Sequence, residues 1–363
     1  MLRIYFRTLF VCWKTFGFSK IFLSCLFVNG LVHIFTTITL FLDQIFVFNY
    51  KKVSVNNPIF IIGHPRSGTT LTHRLLSKTE DAVIFQLWHI LFPAITARIL
   101  LKPLMTYLID NGNDEYMPAW TGHEMRLGRL EEEEMLFSHI WDTQLIAVGI
   151  LGFDELEYPE LEYQDLQSKQ QRLKSIQFLH GCFQRHIYYT GKSQIIAQTH
   201  FSTNRIKTLM EFYPDAKFIY QVRNPHQVIP SFLSLLHNGM EFHWGLSKIP
   251  APILHRYNER RYQASVNLYQ YFYQLEQNGE LPADTVKVLP YKLLRDDLEQ
   301  AFKEMIDFTQ IKVSDRIYQE ISQLSQKQKN YKPAHKVKKL EDFGLSHDRI
   351  DKDLAFVFSE YDV

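Results

Sequence analysis

The chain has 363 residues, 46% of them hydrophobic, which is enough for a substantial core and excludes disorder as its main state. Lysine and arginine number 40 against 39 aspartates and glutamates, so the formal net charge is only +1. Proteins that bind nucleic acid non-specifically carry a large excess of basic residues, which this chain does not have. We therefore expect no nucleic-acid partner. Any bound anion must therefore be held by a local cluster of cations.

Residues 1–54 are expected to form an N-terminal apolar helical segment. From Ile21 to Leu42 the only titratable side chains are Cys25 and His33, and 22 residues suffice to cross a bilayer as one helix. A buried or membrane-surface helical hairpin is the alternative, because four polar residues dilute the run: Asn29, Thr36, Thr37 and Thr39. In either form, we expect this segment to associate with a membrane.

The sequence gives conflicting indications of the side of the membrane on which the main domain lies. Basic residues flank the apolar run, with a small excess before it, which would place the main domain in a lumen if the run spans. However, Cys182 is the one cysteine beyond this segment and the chain has no N-x-S/T sequon, as is typical of a reducing compartment. We expect a cytoplasmic catalytic domain, with a lumen-facing single-pass protein as the alternative. The lone cysteine also excludes a disulfide framework there.

A strand, a glycine-bounded loop and a helix follow the apolar segment. Ile59 to Ile62 is a short apolar run typical of a buried parallel strand. It leads into a loop from Gly63 to Thr70, after which apolar residues recur with helical spacing from Leu71 to Leu76. Such a loop presents unpaired backbone N–H groups and the positive end of a helix dipole, which favour a bound phosphate or sulfate.

Strands and helices alternate along the rest of the chain. Further strands are predicted at residues 194–198, 216–222 and 286–289, with amphipathic stretches such as 202–212 and 225–236 between them. This alternation predicts an α/β fold with three layers and a central parallel sheet. We treat residues 55–363 as one catalytic domain, in which residues 85–190 are a helical elaboration that covers the sheet.

Two charge blocks stand out in this domain. Residues 154–165 carry six carboxylates and no base, and we expect a solvated face or loop. Residues 327–339 carry six lysines and no acid. We expect a solvated tail there, with a lid over an anionic ligand as the alternative.

The loop after the first strand differs from the nucleotide-triphosphatase pattern G-x-x-x-x-G-K-[ST] at one position. Both glycines and Thr70 are present, but Thr69 replaces the lysine that would reach the β and γ phosphates. Ordinary ATP or GTP hydrolysis is therefore not expected. A cation occurs earlier, at Arg66, whose guanidinium can form a bidentate fork with phosphate oxygens.

A second candidate anion site follows the strand at 216–222. Arg223 stands at the carboxyl end of that strand, and Ser231 lies two turns into the next predicted helix. Ligands of open parallel sheets bind at the carboxyl ends of strands. We expect these two residues to clamp a further phosphate, away from the first loop.

With these two motifs, the chain resembles sulfotransferases that use 3′-phosphoadenosine 5′-phosphosulfate (PAPS), and it is most similar to the broad bacterial-type family. The first loop resembles the 5′-phosphosulfate loop, and Arg223 with Ser231 resembles the 3′-phosphate site. Weaker similarities lie at residues 214–219, 291–294 and 340–345. The resemblance runs from about Leu42 to the end of the chain and implies the P-loop-like sulfotransferase fold.

The resemblance also implies the reaction and its binding residues. A sulfuryl group would pass in line from PAPS, as cosubstrate, to a hydroxyl or amine acceptor, without a metal. The residues expected to bind the nucleotide are Arg66, Ser67, Gly68, Thr69, Thr70, Arg223, Ser231 and Tyr291. Arg66 would additionally offset the charge that develops on the leaving group. The chain departs from the family pattern at Gln198, where a lysine is common, and at Lys292, where an acid is usual.

The acceptor must lose a proton, so a general base is expected. The resemblance matches Glu131-Glu132-Glu133-Glu134 to an acidic cluster of the family. Four adjacent carboxylates on a helix point in four directions, so one or two of them can face a cleft. We favour Glu132, then Glu134, with His123 as an alternative base and a solvated acidic turn as the structural alternative.

The leading hypothesis is thus a PAPS-dependent sulfotransferase acting on a small-molecule or lipid-like hydroxylated acceptor. Two alternatives are a P-loop small-molecule kinase and a catalytically inactive, membrane-anchored nucleotide-binding protein. The kinase predicts magnesium-dependent ATP binding. The sulfotransferase predicts metal-independent binding of 3′,5′-adenosine bisphosphate.

Overall fold

A computed structural model describes residues 2–328, 337–361 and 363. The predicted lysine-rich tail or lid at 327–339 therefore falls mostly outside the described residues. The α-helices are α1 (Leu2–Phe16), α2 (Lys20–Leu23), α3 (Asn29–Phe46), α4 (Thr69–Leu76), α5 (Leu87–Leu91), α6 (Ile95–Asp110), α7 (Gln144–Val148), α8 (Pro159–Glu162), α9 (Lys169–Thr190), α10 (Ile206–Phe212), α11 (Pro225–Trp244), α12 (Ala251–Gln277), α13 (Tyr291–Asp296), α14 (Leu298–Thr309), α15 (Asp315–Gln328), α16 (His347–Asp353) and α17 (Ala355–Tyr361). The strands are β1 (Ile59–Gly63), β2 (Ala82–Val83), β3 (Glu115–Met117), β4 (Met125–Arg126), β5 (Gln194–Gln198), β6 (Lys217–Val222) and β7 (Val286–Pro290).

The chain divides into two compact units. The sheet unit comprises residues 55–84, 192–234 and 262–363, and the helical unit comprises residues 1–54, 85–191 and 235–261. The chain passes from one unit to the other after residue 54, where the boundary was predicted, but residues 85–191 and 235–261 group with residues 1–54. The N-terminal segment belongs to the helical unit because its apolar residues share a core with later helices there.

A five-stranded parallel sheet forms the centre of the sheet unit, in the order β2-β5-β1-β6-β7. Ile59 and Ile61 of β1 pack with α4, α14 and α15 on one face. Phe60 points to the other face, where its ring stacks on Phe218 at 5.2 Å. This alternation is the period of two that a strand imposes. The α/β prediction with a central parallel sheet is confirmed.

The helical unit is built largely from helices, as expected for residues 85–190, but it also contains an antiparallel pair that the sequence did not predict. Strands β3 and β4 pair through Glu115 and Arg126. Arg126 Nη1 also donates a hydrogen bond to Asp114 Oδ1 at 2.8 Å. Because each strand is only two or three residues long, no apolar alternation marks it in the sequence.

The acidic stretch 154–165 is not simply a solvated face. Asp154 is buried and accepts hydrogen bonds from Nε and Nη2 of Arg7, each at 2.6 Å. Tyr158 also donates to Asp154, and Arg261 pairs with Glu162 at 3.0 Å. The expectation was wrong at these positions because the basic partners lie far away in sequence.

Residues Lys20–Phe46 form one continuous helical run, with a π-helical turn at Ser24–Val28 between α2 and α3. By length and composition, this run is apolar enough to cross a membrane.

Candidate functional site

The loop after β1 has the strand-loop-helix form predicted for an anion site. β1 ends at Gly63, whose backbone φ is +124° and whose N–H donates to Thr203 Oγ1 at 3.0 Å. A Cβ at Gly63 would collide with the backbone carbonyl of Gln221 on the adjacent strand. Glycine is therefore required for β1 and β6 to approach each other where the loop begins.

Arg66 adopts a backbone conformation that is unusual for a residue with a side chain. Its φ is +75°, in the left-handed region. Ser67 fixes the turn, because its N–H and its hydroxyl both donate to the carbonyl of His64, at 3.1 and 2.6 Å. Strained conformations of this kind persist where the surroundings over-determine them, as happens at binding sites.

His64 supports this loop from inside the sheet unit, a role that the sequence did not indicate. Its ring is buried, stacks on Tyr269 at 5.4 Å and meets Phe232 edge-on at 5.0 Å. Nδ1 lies 2.6 Å from the Pro65 carbonyl. Burial lowers the pKa of His64 to about 4, so the ring is neutral at pH 7. A neutral ring donates from Nδ1 to that carbonyl.

The two candidate phosphate-binding motifs, the loop containing Arg66 and the pair Arg223 and Ser231, are in contact. Arg66 Nε donates to Ser231 Oγ at 3.1 Å, and Arg223 Nη1 donates to the backbone carbonyl of Arg66 at 3.2 Å. We expected Arg223 and Ser231 to lie away from the first loop, and the structure instead brings them into contact with it. The reason is the strand order, since β1 and β6 are neighbours and their carboxyl ends meet.

Arg223 is oriented by neutral groups. Its Nε and Nη2 donate to Gln227 Oε1, at 3.1 and 3.0 Å. Its guanidinium lies over the ring of Tyr291, 4.2 Å from the centroid. Within the described part of the chain, the hydrogen-bond acceptors of this guanidinium are neutral oxygens. Burial lowers the pKa of Arg223 from its ordinary value, and a carboxylate partner does not offset that effect.

Tyr291 also closes the loop at Gly68. A Cβ on Gly68 would lie 2.6 Å from Cδ2 of Tyr291, and Gly68 has a φ of +107°. Tyr291 therefore contacts both the first loop and Arg223. Its place among the nucleotide-binding residues stays a prediction.

Thr69 and Thr70 begin α4, and Gln198 at the end of β5 contacts both. Gln198 Nε2 lies 3.3 Å from each of the two threonine Oγ1 atoms. In the sequence, Gln198 is notable only as a departure from the expected lysine. The structure shows that this amide lies against the hydroxyls of the loop.

The donor groups of this cluster fit an anion. Arg66 and Arg223 supply two guanidinium groups, and Ser231, Thr69 and Thr70 supply hydroxyls at the carboxyl edge of the sheet. Charge-assisted hydrogen bonds from arginine to phosphate or sulfate oxygens are short and strong. Gly68 allows a close approach of the backbone.

The four-glutamate cluster lies in the helical unit and is not a helix throughout. A 3₁₀-helix begins at Glu133 and runs to Ile140, whereas Glu131 and Glu132 precede it in irregular backbone. The predicted helical arrangement of four carboxylates is therefore wrong for the first two. Glu132 is half-buried, whereas the other three glutamates are buried. Glu134 accepts a hydrogen bond from Thr143 Oγ1 at 2.6 Å.

His123 pairs with Glu131, and not with Glu132, the favoured base. Its Nε2 lies 2.9 Å from Glu131 Oε1, which also accepts a hydrogen bond from the backbone N–H of Glu132 at 3.3 Å. One side-chain nitrogen or oxygen each from His123, Glu131 and Glu132 lies within 4.8 Å of the others. This arrangement is suited to holding and passing a proton, because a histidine and two carboxylates are in reach of one another.

Residues outside the predicted set also contact the phosphate-site candidates, among them His64, Gln198 and Gln227. Gln227 lies in the first turn of the predicted helix, but Arg223 precedes that helix, so helical spacing does not predict their contact. His64 lies inside the loop from Gly63 to Thr70, but its burial could not be read from its residue type. Gln198 ends a different strand, β5, and its contact with the threonines depends on the strand order.

Comparison with known proteins agrees with the geometry of the sheet unit. A family model described as "Sulfotransferase family" matches residues 58–315, which is well over half of the chain. The omega-hydroxy-beta-dihydromenaquinone-9 sulfotransferase Stf3 of Mycobacterium tuberculosis is 27% identical over 189 residues. That match covers 51% of this chain and 46% of the relative, and the Mycobacterium bovis protein of the same name gives the same values. The matched region thus spans about half the length of these relatives.

Two solved structures share the fold at low sequence identity. Sulfotransferase STF1 from Mycobacterium tuberculosis H37Rv has a TM-score of 0.69 and 16% identity, with 97% of this chain and 92% of that chain covered. Sulfotransferase STF9 from Mycobacterium avium has a TM-score of 0.67 and 13% identity, with coverage of 90% and 81%.

Proposed function

Because this chain belongs to the sulfotransferase family, we propose that it transfers a sulfuryl group from PAPS to a hydroxyl or amine acceptor. One observation carries the choice of donor: Arg66, Ser231 and Arg223 form a single contiguous cluster at the edge of the sheet. The 5′-phosphosulfate and the 3′-phosphate of PAPS are attached to the same ribose. A cluster that joins the two predicted clamps suits two anionic groups held close together by one sugar.

In the proposed complex, Arg66 and the loop from Ser67 to Thr70 bind the 5′-phosphosulfate, and Arg223 with Ser231 binds the 3′-phosphate. Negative charge increases on the 5′-phosphate oxygen as the sulfuryl group leaves. A guanidinium already fixed by Ser231 offsets that charge without reorganising, which is the condition for electrostatic stabilisation of a transition state. Tyr291 holds Arg223 and contacts Gly68, so it links the two halves of the nucleotide site.

Glu132 is proposed as the general base. It is the half-buried member of the glutamate cluster, whereas Glu134 is buried and bonded to Thr143. A base must reach a substrate proton, which a carboxylate with an exposed edge can do. His123 is the alternative, but its Nε2 is already engaged by Glu131.

The acceptor is proposed to be a hydroxylated, lipid-like molecule. The relative with 27% identity is named for a menaquinone with an omega-hydroxyl group. In addition, the N-terminal apolar segment of this chain suits a protein that meets its acceptor at a membrane. We propose a membrane-associated enzyme whose catalytic domain faces the cytoplasm.

Titration calorimetry with 3′,5′-adenosine bisphosphate tests the donor. Wild-type protein should bind it equally well with magnesium and with EDTA. Arg223→Ala should bind at least about tenfold more weakly, since hydrogen bonds to charged groups contribute about 1.5–3 kcal/mol. Arg316→Ala, at an exposed arginine of the same unit, is the matched control and should bind like wild type.

Other outcomes would contradict the proposal. Failure of the wild type to bind the bisphosphate would remove PAPS as the donor. Binding of ATP that depends on magnesium would favour a kinase. Binding of PAPS without turnover over a broad panel of hydroxylated acceptors would favour an inactive binding protein.

A further inference from the structure

Helix α3 buries three polar residues in the helical unit, whereas most of its exposed residues are apolar; Thr37 and Gln44 are exposed polar ones. Thr36 and Thr39 are each 2% exposed, and Asp43 is fully buried. Their spacing of three and four residues puts them on one stripe of the helix. The large apolar side chains of α3 that are at least half exposed are Leu31, Ile34, Ile38, Phe41, Ile45 and Phe46. This is the reverse of the pattern of a surface helix in contact with water.

Asp43 fastens the end of α3 to the start of α6. Its carboxylate accepts hydrogen bonds from the backbone N–H groups of Ile95 and Thr96, each at 2.8 Å, and from Thr96 Oγ1 at 2.6 Å. Arg185 Nε donates to it at 2.9 Å. The carboxylate therefore caps α6 and neutralises a buried arginine at the same time.

The other end of the apolar run is held as well. Cys25 is buried in a core that α1 shares with residues 147–161. Tyr5 donates a hydrogen bond to the carbonyl of Leu26 at 3.1 Å. Since both ends are attached to the helical unit, the run cannot cross a bilayer as a separate helix unless these contacts break.

Helix α6 packs against α3 and extends the apolar surface. Its large apolar side chains that are at least half exposed are Ile99, Leu100, Leu104 and Tyr107. Clustered exposed apolar side chains on two neighbouring helices are typical of surfaces that bind a partner or a membrane.

The charge around this surface indicates its partner. Between residues 2 and 54 the one acidic residue is Asp43, which is buried. Exposed lysines lie at both ends of the apolar run and within α6: Lys20, Lys51, Lys52 and Lys102. Lysines around an exposed apolar face complement a layer of anionic headgroups over hydrocarbon.

We propose that α3 and α6 together form a membrane-binding face that lies in the plane of an anionic lipid bilayer. Leu31 to Ile45 of α3 and Ile99 to Tyr107 of α6 enter the boundary between headgroups and acyl chains, about 5–10 Å deep. The Lys20–Phe46 run then lies on the membrane and does not span it. This proposal deepens the membrane association proposed above and is independent of the transfer reaction, which can be measured without vesicles.

Flotation of the full chain with vesicles tests the contribution of α6. Wild-type protein should float with vesicles of phosphatidylcholine and phosphatidylserine, and more weakly with phosphatidylcholine alone. The double variant L100Q/L104Q should partition at least about tenfold less, since two apolar side chains no longer gain by leaving water for the acyl chains. The control L156Q/L166Q replaces two exposed leucines in other elements of the helical unit and should float like wild type. Wild-type flotation of the α6 variant would overturn the proposal.

Depth measurements distinguish lying on the membrane from spanning it. Spin labels would be placed singly at Leu31→Cys, Ile38→Cys, Ile45→Cys and Leu104→Cys, and the three native cysteines are buried. The proposal predicts similar, shallow depths at all four positions. A label at Ile38→Cys near the bilayer centre, with Leu104→Cys in water, would show a span and overturn it. Strong spin-spin coupling between molecules would show instead that a second copy covers the face.

Discussion

Arg66 Nε donates a hydrogen bond to Ser231 Oγ at 3.1 Å, although 165 residues separate them in sequence. This contact joins the loop after β1 to the helix after β6, which follow adjacent parallel strands. Each residue belongs to a different motif, and each motif predicts a phosphate. Because the motifs touch, binding at one of them is expected to depend on the other.

That dependence predicts non-additive effects on nucleotide affinity. Arg66→Ala should weaken binding of 3′,5′-adenosine bisphosphate by roughly 10- to 100-fold, and Ser231→Ala by a smaller factor. In Arg66→Ala the serine has lost its arginine partner, so removing its hydroxyl should then cost less. Calorimetry on both single variants and the double variant should give a coupling of about 1 kcal/mol. Effects that add to within about 0.5 kcal/mol would show that the hydrogen bond does not couple the two clamps.

Gly68→Ala should abolish measurable bisphosphate binding, because its new Cβ would meet the ring of Tyr291. Part of any loss comes from backbone strain at positive φ, about 1–2 kcal/mol. Gly279→Ala is the matched control, since Gly279 has a φ of +69° and nothing lies within 4 Å of the added atom. The control should lose stability in urea but keep its affinity for the nucleotide. Equal affinities of the two variants would mean that the contact between Gly68 and Tyr291 is irrelevant to binding.

Glu132→Gln tests the proposed base. Turnover should fall by about 10²- to 10⁴-fold with an acceptor that the wild type sulfates, while bisphosphate affinity stays unchanged. Glu134→Gln is the comparison, because its carboxylate is buried and bonded to Thr143. It should lower stability more than Glu132→Gln does. A normal rate in Glu132→Gln with a large loss in His123→Gln would transfer the role to the histidine.

The main strands were predictable because buried parallel strands are continuous apolar runs. β1, β5, β6 and β7 lie within one residue of their predicted bounds. β2 has only two residues, Ala82–Val83, and gives no such signal. The helix predicted through Glu131 and Glu132 failed because Glu131 is held by His123, a pairing that helical periodicity does not reveal.

In the candidate site, too, residues within short motifs were predictable, whereas contacts between distant parts of the chain were not. Arg66 and Arg223 were found because each follows an apolar strand within a short motif. Their contact was not predicted, since it depends on β1 and β6 being neighbours, which the order of elements along the chain does not determine. The same is true of Gln198 and the two threonines. Sequence therefore predicted most of the phosphate-site candidates but not the hydrogen bonds between them.

Stability should depend on pH through His64. Its folded-state pKa is about 4, below the ordinary value of 6.5, because burial disfavours the charged ring. Below pH 6.5 the unfolded chain binds a proton that the folded chain does not, so stability is lost as the pH falls toward 4. Between pH 7 and pH 5 this residue alone should remove about 2 kcal/mol. Urea unfolding of wild type and His64→Gln should show a smaller pH dependence in the variant, and equal slopes would contradict this role.

Asp43→Ala should strongly destabilise the helical unit. It removes the cap of α6 and takes the carboxylate away from Arg185, which is buried and keeps only neutral oxygens of Tyr50 and Gly181 among its described hydrogen bonds. Breaking a buried pair from one side costs about 3–5 kcal/mol. Asp110→Ala, at the exposed end of α6, should change the unfolding free energy by less than about 0.5 kcal/mol.

The double variant Asp43→Ala/Arg185→Met should be more stable in urea than Asp43→Ala, since it leaves no unpaired buried charge. If the double variant is no more stable, the cost lies in the lost cap and not in the arginine.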